Sequence, residues 1–165
     1  MFQVLIEIPA QSSPIKYETN EKGEICVDRF LSTPMFYPAN YGYIPNTLAE
    51  DGDAVDCLVV TPFPIMTGAL VLCRPVGLLM MEDEAGIDHK VLAVPSDIVT
   101  EEYRHIQSLD DMEECNKGLL DQIEFFFSNY KSLENAKWAE VSGWGTKYDA
   151  EVLIRNSSEN TYDLW

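Results

Sequence analysis

Three aspartates are concentrated in one short segment of the chain, Asp51-Gly52-Asp53-Ala54-Val55-Asp56. Carboxylates arranged around a glycine turn can direct several oxygens toward one point, and Mg²⁺ prefers hard oxygen ligands of this kind. The same composition is also ordinary turn material, in which aspartates bond to the nearby backbone and face water. The segment therefore indicates either a cation site or a solvated turn.

Two sharper interpretations of this segment can be tested against its spacing. An EF-hand loop starting at Asp51 requires Gly at its sixth position and Glu at its twelfth, but the chain has Asp56 and Pro62 there, so this interpretation fails. Asp51 to Val55 does match the D-x-D-x-[TV] pattern of phosphatases that form an aspartyl-phosphate. In that pattern Asp51 would be a covalent nucleophile following a buried strand. Residues 43–50 do not have the composition of such a strand, because they include Pro45 and Asn46.

A second acidic group occupies Glu82–Lys90. Gly86 marks a turn, so Asp83 and Asp88 are expected to flank a hairpin end and to meet across it. Asp88 and Lys90 lie on the same strand face because side chains alternate with a period of two. The alternative is an acidic hairpin tip that is simply exposed to water.

Basic and phenolic side chains form the third set of candidates. Lys16 lies beside Glu18 on one strand face, and Tyr37–Tyr43 is predicted to be an aromatic loop. Tyr130-Lys131 ends an apolar helical stripe. Each has a common structural explanation, since a lysine in a last helical turn stabilises the helix dipole and a tyrosine on an apolar stripe usually belongs to the core.

The elements that must position these residues change in type along the chain. Alternating patterns predict strands at residues 2–8 and 15–18, and a turn at residues 20–23 predicts a hairpin with residues 25–30. Short apolar segments bounded by Pro and Gly predict further strands at residues 58–60, 69–74, 76–81 and 90–94. Pro95-Ser96-Asp97 predicts a helix entry, and Leu119 to Tyr130 has the spacing of a second helix. Many short strands followed by two helices predict an α+β fold built round a small barrel. The length of 165 residues predicts a single domain, 1–165.

Composition excludes several function classes. The net charge of −17 opposes binding to nucleic acid, where Lys and Arg must replace counterions. The longest apolar stretches are too short to span a bilayer, and the N-terminus has no basic region typical of a signal peptide. The four cysteines form no C-x-x-C pair and are expected to be reduced and mostly buried. We therefore expect a cytoplasmic protein with no membrane partner.

Seven segments, taken in order, resemble family I soluble inorganic pyrophosphatases of the bacterial type. They are Ile6–Ala10, Pro14–Glu18, Val27–Phe30, Tyr37–Tyr43, Asp51–Asp56, Asp83–Lys90 and Tyr130-Lys131. The resemblance implies hydrolysis of pyrophosphate to two orthophosphates by a metal-activated water. It also implies a five-stranded OB-like barrel with two helices, and a homo-oligomer that is a hexamer in some relatives.

The resemblance also implies roles for individual residues. Asp53 corresponds to the general base, and Tyr41 and Lys131 are catalytic. The substrate-binding positions are Lys16, Glu18, Arg29, Tyr37, Tyr41, Lys90, Tyr130 and Lys131, and the metal-binding positions are Asp51, Asp56, Asp83, Asp88 and, more peripherally, Glu7. The cofactor implied is Mg²⁺, several ions per site, with Mn²⁺ or other divalent ions as substitutes.

Three features of this sequence depart from the family pattern. Ala54 replaces the usual Pro of the aspartate signature, and the chain begins almost directly at the first strand. Phe125 and Asn129 stand where some hexameric relatives have histidines.

The predicted site holds seven carboxylates and four cationic side chains, and pyrophosphate adds about four negative charges, so several divalent ions are needed to neutralise the complex.

Overall fold

A ring of five hydrogen-bonded strands forms the centre of the computed structural model, which describes residues 1–158. Across these residues the chain forms nine strands and three α-helices. The strands are β1 (Phe2–Ile8), β2 (Ile15–Thr19), β3 (Ile25–Phe30), β4 (Asn40–Tyr43), β5 (Asp56–Val59), β6 (Leu70–Asp83), β7 (Gly86–Ile87), β8 (Lys90–Pro95) and β9 (Ala139–Gly145), and the helices are α1 (Leu109–Cys115), α2 (Leu119–Asn129) and α3 (Lys147–Ser157).

The ring closes because β1 pairs with two strands. It is antiparallel to β4 through Leu5 and Tyr43, and antiparallel to β6 through Phe2 and Cys73. β4 is antiparallel to β5, β5 is parallel to β8, and β8 is antiparallel to β6. The hairpin of β2 and β3 forms a separate two-stranded sheet. The expected five-stranded α+β architecture is therefore confirmed.

The long strand β6 serves two parts of the sheet. Its first half pairs with β1, and its second half pairs with β7 and β9. Its register against β8 shifts between Pro75 and Gly77, as expected where a strand bends at a barrel corner. A Cβ at Gly77 would lie 2.4 Å from the Leu109 side chain of α1, so a larger residue there would need that side chain to move.

Alternate residues of the ring strands belong to two different hydrophobic clusters. Leu58 and Leu92 pack in the cluster that includes Ile123 and Phe127 of α2. Cys57 and Val91, one position earlier on the same strands, belong to the cluster that includes Ile154 of α3 and its neighbour Ala150. The period of two in the strand sequences thus places α2 and α3 against opposite faces of the strands.

The predicted helix entry at Pro95–Asp97 is wrong. Residues 97–107 form turns and bends and no α-helix. Ser96 N–H donates to Leu72 O of β6, which keeps this point of the chain at the sheet, and the Ser96 carbonyl accepts from the N–H groups of Val99 and Thr100 in a turn. The helix begins later, after Ser108, whose side chain accepts from Asp111 N. The second predicted helix, with its apolar stripe, is confirmed as α2.

Three elements were not expected from the sequence. The segment from Asn40 to Tyr43 is strand β4 and not a loop. Strand β9 and helix α3 follow α2, and α3 begins with a capping box formed by Thr146 and Asp149. A third helix is therefore added to the two expected, while residues 159–165 of the predicted domain lie outside the described residues.

The prediction that the cysteines are reduced is confirmed, but the prediction that they are mostly buried is not. All four are free thiols. Cys57 and Cys73 are buried, and burial raises the pKa of Cys73 to about 12. Cys26 and Cys115 are exposed, so the expectation of mostly buried thiols is wrong for half of them.

None of the helices in residues 1–158 is long and apolar enough to cross a membrane.

Candidate active site

One cavity of about 450 Å³ collects all fourteen residues that the sequence singled out. They come from most parts of the fold. β1 provides Glu7, β2 provides Lys16 and Glu18, and β3 provides Arg29; Tyr37 and Tyr41 come from the segment around β4, Asp51, Asp53 and Asp56 from the turn into β5, Asp83, Asp88 and Lys90 from β6 to β8, and Tyr130 and Lys131 from the end of α2.

The turn that carries Asp51 and Asp53 is tied down by local hydrogen bonds. Asp53 N–H donates to Asp51 Oδ1 at 3.1 Å, and Asp53 O accepts from Ala49 N at 2.7 Å. Gly52 lies at φ 90°, a conformation that favours glycine. The turn interpretation is thus right about the local geometry, yet the turn also forms a wall of the cavity.

The phosphatase interpretation lacks its supporting strand. Within residues 1–158 the only parallel strand pair is β5 with β8, and Asp51 precedes β5. The strand before Asp51 is β4, which pairs only antiparallel neighbours. Asp51 is therefore not at the carboxyl end of a parallel strand.

Lys90 is the most buried charged group of the cavity, with 1% of its surface exposed. Its Nζ lies 2.6 Å from Asp56 Oδ2 and 2.6 Å from Asp88 Oδ1. Burial alone would lower the pKa of Lys90, but the carboxylates of Asp56 and Asp88 raise it, so the amine stays charged. A single ammonium thus holds together carboxylates 32 residues apart in the chain.

Lys131 forms the second buried ion pair. Its Nζ donates to Asp83 Oδ2 at 2.7 Å and approaches Glu84 Oε1 at 3.4 Å. Burial acts to raise the pKa of Asp83, but the hydrogen bonds from Lys131 and Ala85 N–H and the charges of Lys131 and Lys90 together outweigh it, and the pKa is lowered. Glu84 was not singled out from the sequence, although it adjoins Asp83; it also accepts from Trp138 N at 3.3 Å.

The hairpin of β2 and β3 contributes a more exposed charged group. Lys16 Nζ donates to Glu18 Oε1 at 2.6 Å and lies 3.5 Å from Asp28 Oδ2. Arg29 Nε is buried without a hydrogen-bond partner. A guanidinium with an unused N–H in the cavity wall is suited to an anionic ligand.

Two carboxyl groups of the cavity have raised pKa values. Burial, and then the Asp56 carboxylate, raise the pKa of Glu7 to about 7. Burial also raises the pKa of Asp88 to about 6, with Lys90 opposing this change and Asp56 adding to it. A cation bound beside these two groups would favour their ionised forms.

Three phenols line the same cavity. Burial raises the pKa values of Tyr37, Tyr41 and Tyr130, so their hydroxyls stay protonated and can donate hydrogen bonds. The Tyr37 ring lies 4.5 Å from Phe126 of α2, centroid to centroid, and Phe126 stacks on Tyr130 at 5.5 Å. The apolar stripe of α2 therefore fixes the phenols and the Lys131 that follows.

The donors of the cavity fit magnesium ions that are each held by few protein ligands. Across the described chain, no three His, Cys, Asp or Glu side chains form one preformed metal-binding group. Mg²⁺ is usually held by one or two carboxylates together with water and substrate phosphates. The cavity has seven carboxylates and four cationic side chains, and one of the latter, Arg29, has an Nε without a hydrogen bond; this set matches such ions and a phosphate ligand.

The family model for inorganic pyrophosphatase matches residues 4–162 of this chain. Among curated relatives, an inorganic pyrophosphatase of Haemophilus ducreyi is 54% identical over 157 residues, which is 94% of this chain and 88% of the relative.

Solved structures agree with the sequence comparison. An inorganic pyrophosphatase of Coxiella burnetii is 49% identical, with a TM-score of 0.90 over 94% of this chain and 92% of that one. A structure described as an inorganic phosphatase of Anaplasma phagocytophilum is 50% identical, with a TM-score of 0.89 over 94% and 90% of the two chains.

Proposed function

Because this chain belongs to the inorganic pyrophosphatase family, hydrolases of the diphosphatase type, we propose that it hydrolyses pyrophosphate to two orthophosphates at the cavity described above. The single observation that carries this proposal is the shared cavity itself. Carboxylates, ammonium groups, a guanidinium and phenols from distant parts of the chain all line it.

The charges of the cavity support a requirement for divalent cations. Its carboxylates outnumber its cationic side chains by three, and a fully ionised pyrophosphate adds about four negative charges. We propose that Asp51, Asp56, Asp83 and Asp88, with Glu7 at the periphery, hold Mg²⁺. Bound Mg²⁺ would neutralise phosphate charge and make a water molecule acidic enough to react.

Asp53 is proposed as the general base that takes the proton of the attacking water. Its side chain is exposed at the cavity wall, and within residues 1–158 no ion pair or side-chain hydrogen bond engages its carboxylate. A carboxylate that no cation neutralises is free to accept a proton. Asp56 and Asp88 are less suited to this role, because Lys90 already binds both.

The cationic and phenolic groups are proposed to bind the two phosphoryl halves. Lys16 and Arg29 extend from the β2–β3 hairpin, and Lys90 lies at the base of the cavity. Tyr41 and Lys131 would stabilise the departing phosphate, since a protonated phenol and an ammonium both donate to developing negative charge. Glu18, Tyr37 and Tyr130 complete the binding surface.

An orthophosphate-release assay tests this function against the aspartyl-phosphate alternative. We expect release from pyrophosphate in the presence of Mg²⁺, with little or none from p-nitrophenyl phosphate under the same conditions. Excess chelator should abolish the release. Comparable hydrolysis of the phosphomonoester, together with a trapped phosphoryl group on Asp51, would favour the alternative.

The cellular setting and assembly are also proposals. The free thiols at all four cysteine positions support the cytoplasm, where disulfides are rare. Family resemblance suggests a homo-oligomer, a hexamer by analogy. The exposed aromatic rings of Phe36 and Phe125, which flank an apolar groove on α2, support a protein contact at that face. The net charge of −17 argues against a nucleic-acid partner.

A further inference from the structure

Thr19 lies in the wall of the candidate active-site cavity and is not among the groups proposed to bind metal or substrate. It is the last residue of β2 and directly follows Glu18. Its main-chain N–H acts to lower the pKa of the Glu7 carboxyl, against the larger effect of burial, and it lines the cavity together with that residue. Thr19 therefore lies at the same cavity as one of the carboxylates proposed to hold a cation.

The hydroxyl of Thr19 is a separate observation. Its Oγ1 exposes less than 1 Å² and has no hydrogen-bond partner. Only three other side-chain atoms in residues 1–158 share this state, and one of them, Arg29 Nε, lines the same cavity. Buried polar groups in proteins are nearly always hydrogen-bonded, so an unused hydroxyl at a binding cavity points to a ligand.

We propose that Thr19 is a positioning residue of the metal site. Its hydroxyl forms a hydrogen bond to the hydration water of a divalent ion that is held beside Glu7. Mg²⁺ retains several of its waters when proteins bind it, and a threonine hydroxyl can accept from or donate to such a water. The inference rests on the proposed function, because it assumes that the cavity takes divalent ions.

The choice of variants isolates the hydroxyl. Thr19→Val keeps the shape and the backbone N–H but removes Oγ1, whereas Thr19→Ser keeps the hydroxyl. Thr33→Val is a matched control, because Thr33 Oγ1 already accepts from Met35 N and Thr33 does not line the cavity.

The test is isothermal titration calorimetry of Mg²⁺ binding to the whole chain without pyrophosphate. Thr19→Val should bind Mg²⁺ about tenfold more weakly than wild type, because it loses the hydroxyl that would hold a metal-bound water. The Mg²⁺ affinities of Thr19→Ser and Thr33→Val should stay close to that of wild type. The melting temperature of Thr19→Val without Mg²⁺ should not fall, which separates positioning from a merely structural role. Wild-type affinity in Thr19→Val, or an equal loss in Thr33→Val, would overturn the proposal.

Failure of this inference and failure of the proposed function are distinguishable. If wild-type protein releases phosphate from pyrophosphate but Thr19→Val binds Mg²⁺ normally, only the role of Thr19 is wrong. If Thr19→Val weakens Mg²⁺ binding but wild-type protein hydrolyses no pyrophosphate, the metal site stands and the substrate assignment is wrong.

Discussion

Replacing Asp53 by Asn should lower the turnover number for pyrophosphate by about two to four orders of magnitude. The amide cannot accept a proton from the attacking water, although it keeps nearly the same volume. The turn should persist, because the bonds that hold it use Asp53 N–H and O and not its side chain. The measurement is kcat by phosphate release at saturating Mg²⁺.

The controls for Asp53→Asn separate chemistry from folding and charge. Circular dichroism melting and Mg²⁺ titration should stay near wild type. Asp110→Asn removes one charge from an exposed position of α1 outside the cavity and should leave kcat unchanged. A turnover number for Asp53→Asn within a few-fold of wild type would show that another group is the base.

Replacing Lys90 by Met should damage both activity and stability. The change removes the ammonium that neutralises Asp56 and Asp88, and breaking a buried pair by removing one partner costs about 3 kcal/mol. Loss of one positive group at the phosphates should lower kcat by about two orders of magnitude. Met fills much of the same space, so lost packing is a minor contribution.

Added Mg²⁺ tests whether the stability loss of Lys90→Met comes from the carboxylates that lose their ammonium partner. Added Mg²⁺ should raise the melting temperature of Lys90→Met more than that of wild type, because the freed carboxylates become available to the ion. Lys22→Met, in the exposed turn of the β2–β3 hairpin, is the matched control and should show neither effect. An unchanged melting temperature in Lys90→Met without Mg²⁺ would contradict the ion-pair account.

Local sequence patterns predicted most individual strands but not how they join. Alternation predicted β1 and β2, turn residues predicted the β2–β3 hairpin, and short apolar segments predicted the strands from Leu58 to Val94, because all three are local properties of the sequence. Closure of the ring depends on Phe2 meeting Cys73 across 71 residues, which no local pattern specifies. The break at Pro75 suggested two strands, yet a bulge lets β6 continue through it.

The missed elements had weaker or misleading signals. Pro95-Ser96-Asp97 has helix-entry composition, but hydrogen bonding of Ser96 to Leu72 keeps this segment at the sheet. Thr146 and Asp149 have the spacing of a capping box, so α3 could have been anticipated from them. The aromatic segment Tyr37–Tyr43 predicts a loop, whereas its second part, Asn40–Tyr43, is a strand because it pairs with β1 and β5, which are distant in the sequence.

The candidate site residues could be named as a set because their segments resemble one family, and the structure places all of them at one cavity. Their pairing was not predictable. Nothing local indicates that Lys90 is almost fully buried between Asp56 and Asp88, or that Glu84 shares Lys131 with Asp83. The unpartnered hydroxyl of Thr19 likewise depends on how β2 lies against β1.

The most direct test of the central claim is calorimetric binding of imidodiphosphate, an analogue of pyrophosphate, with and without Mg²⁺. The claim is that the excess of carboxylates makes the cavity too negative to take a diphosphate unless divalent cations enter with it. We predict clear binding in Mg²⁺ and none detectable in excess chelator. Equal affinity in the two conditions would contradict the claim.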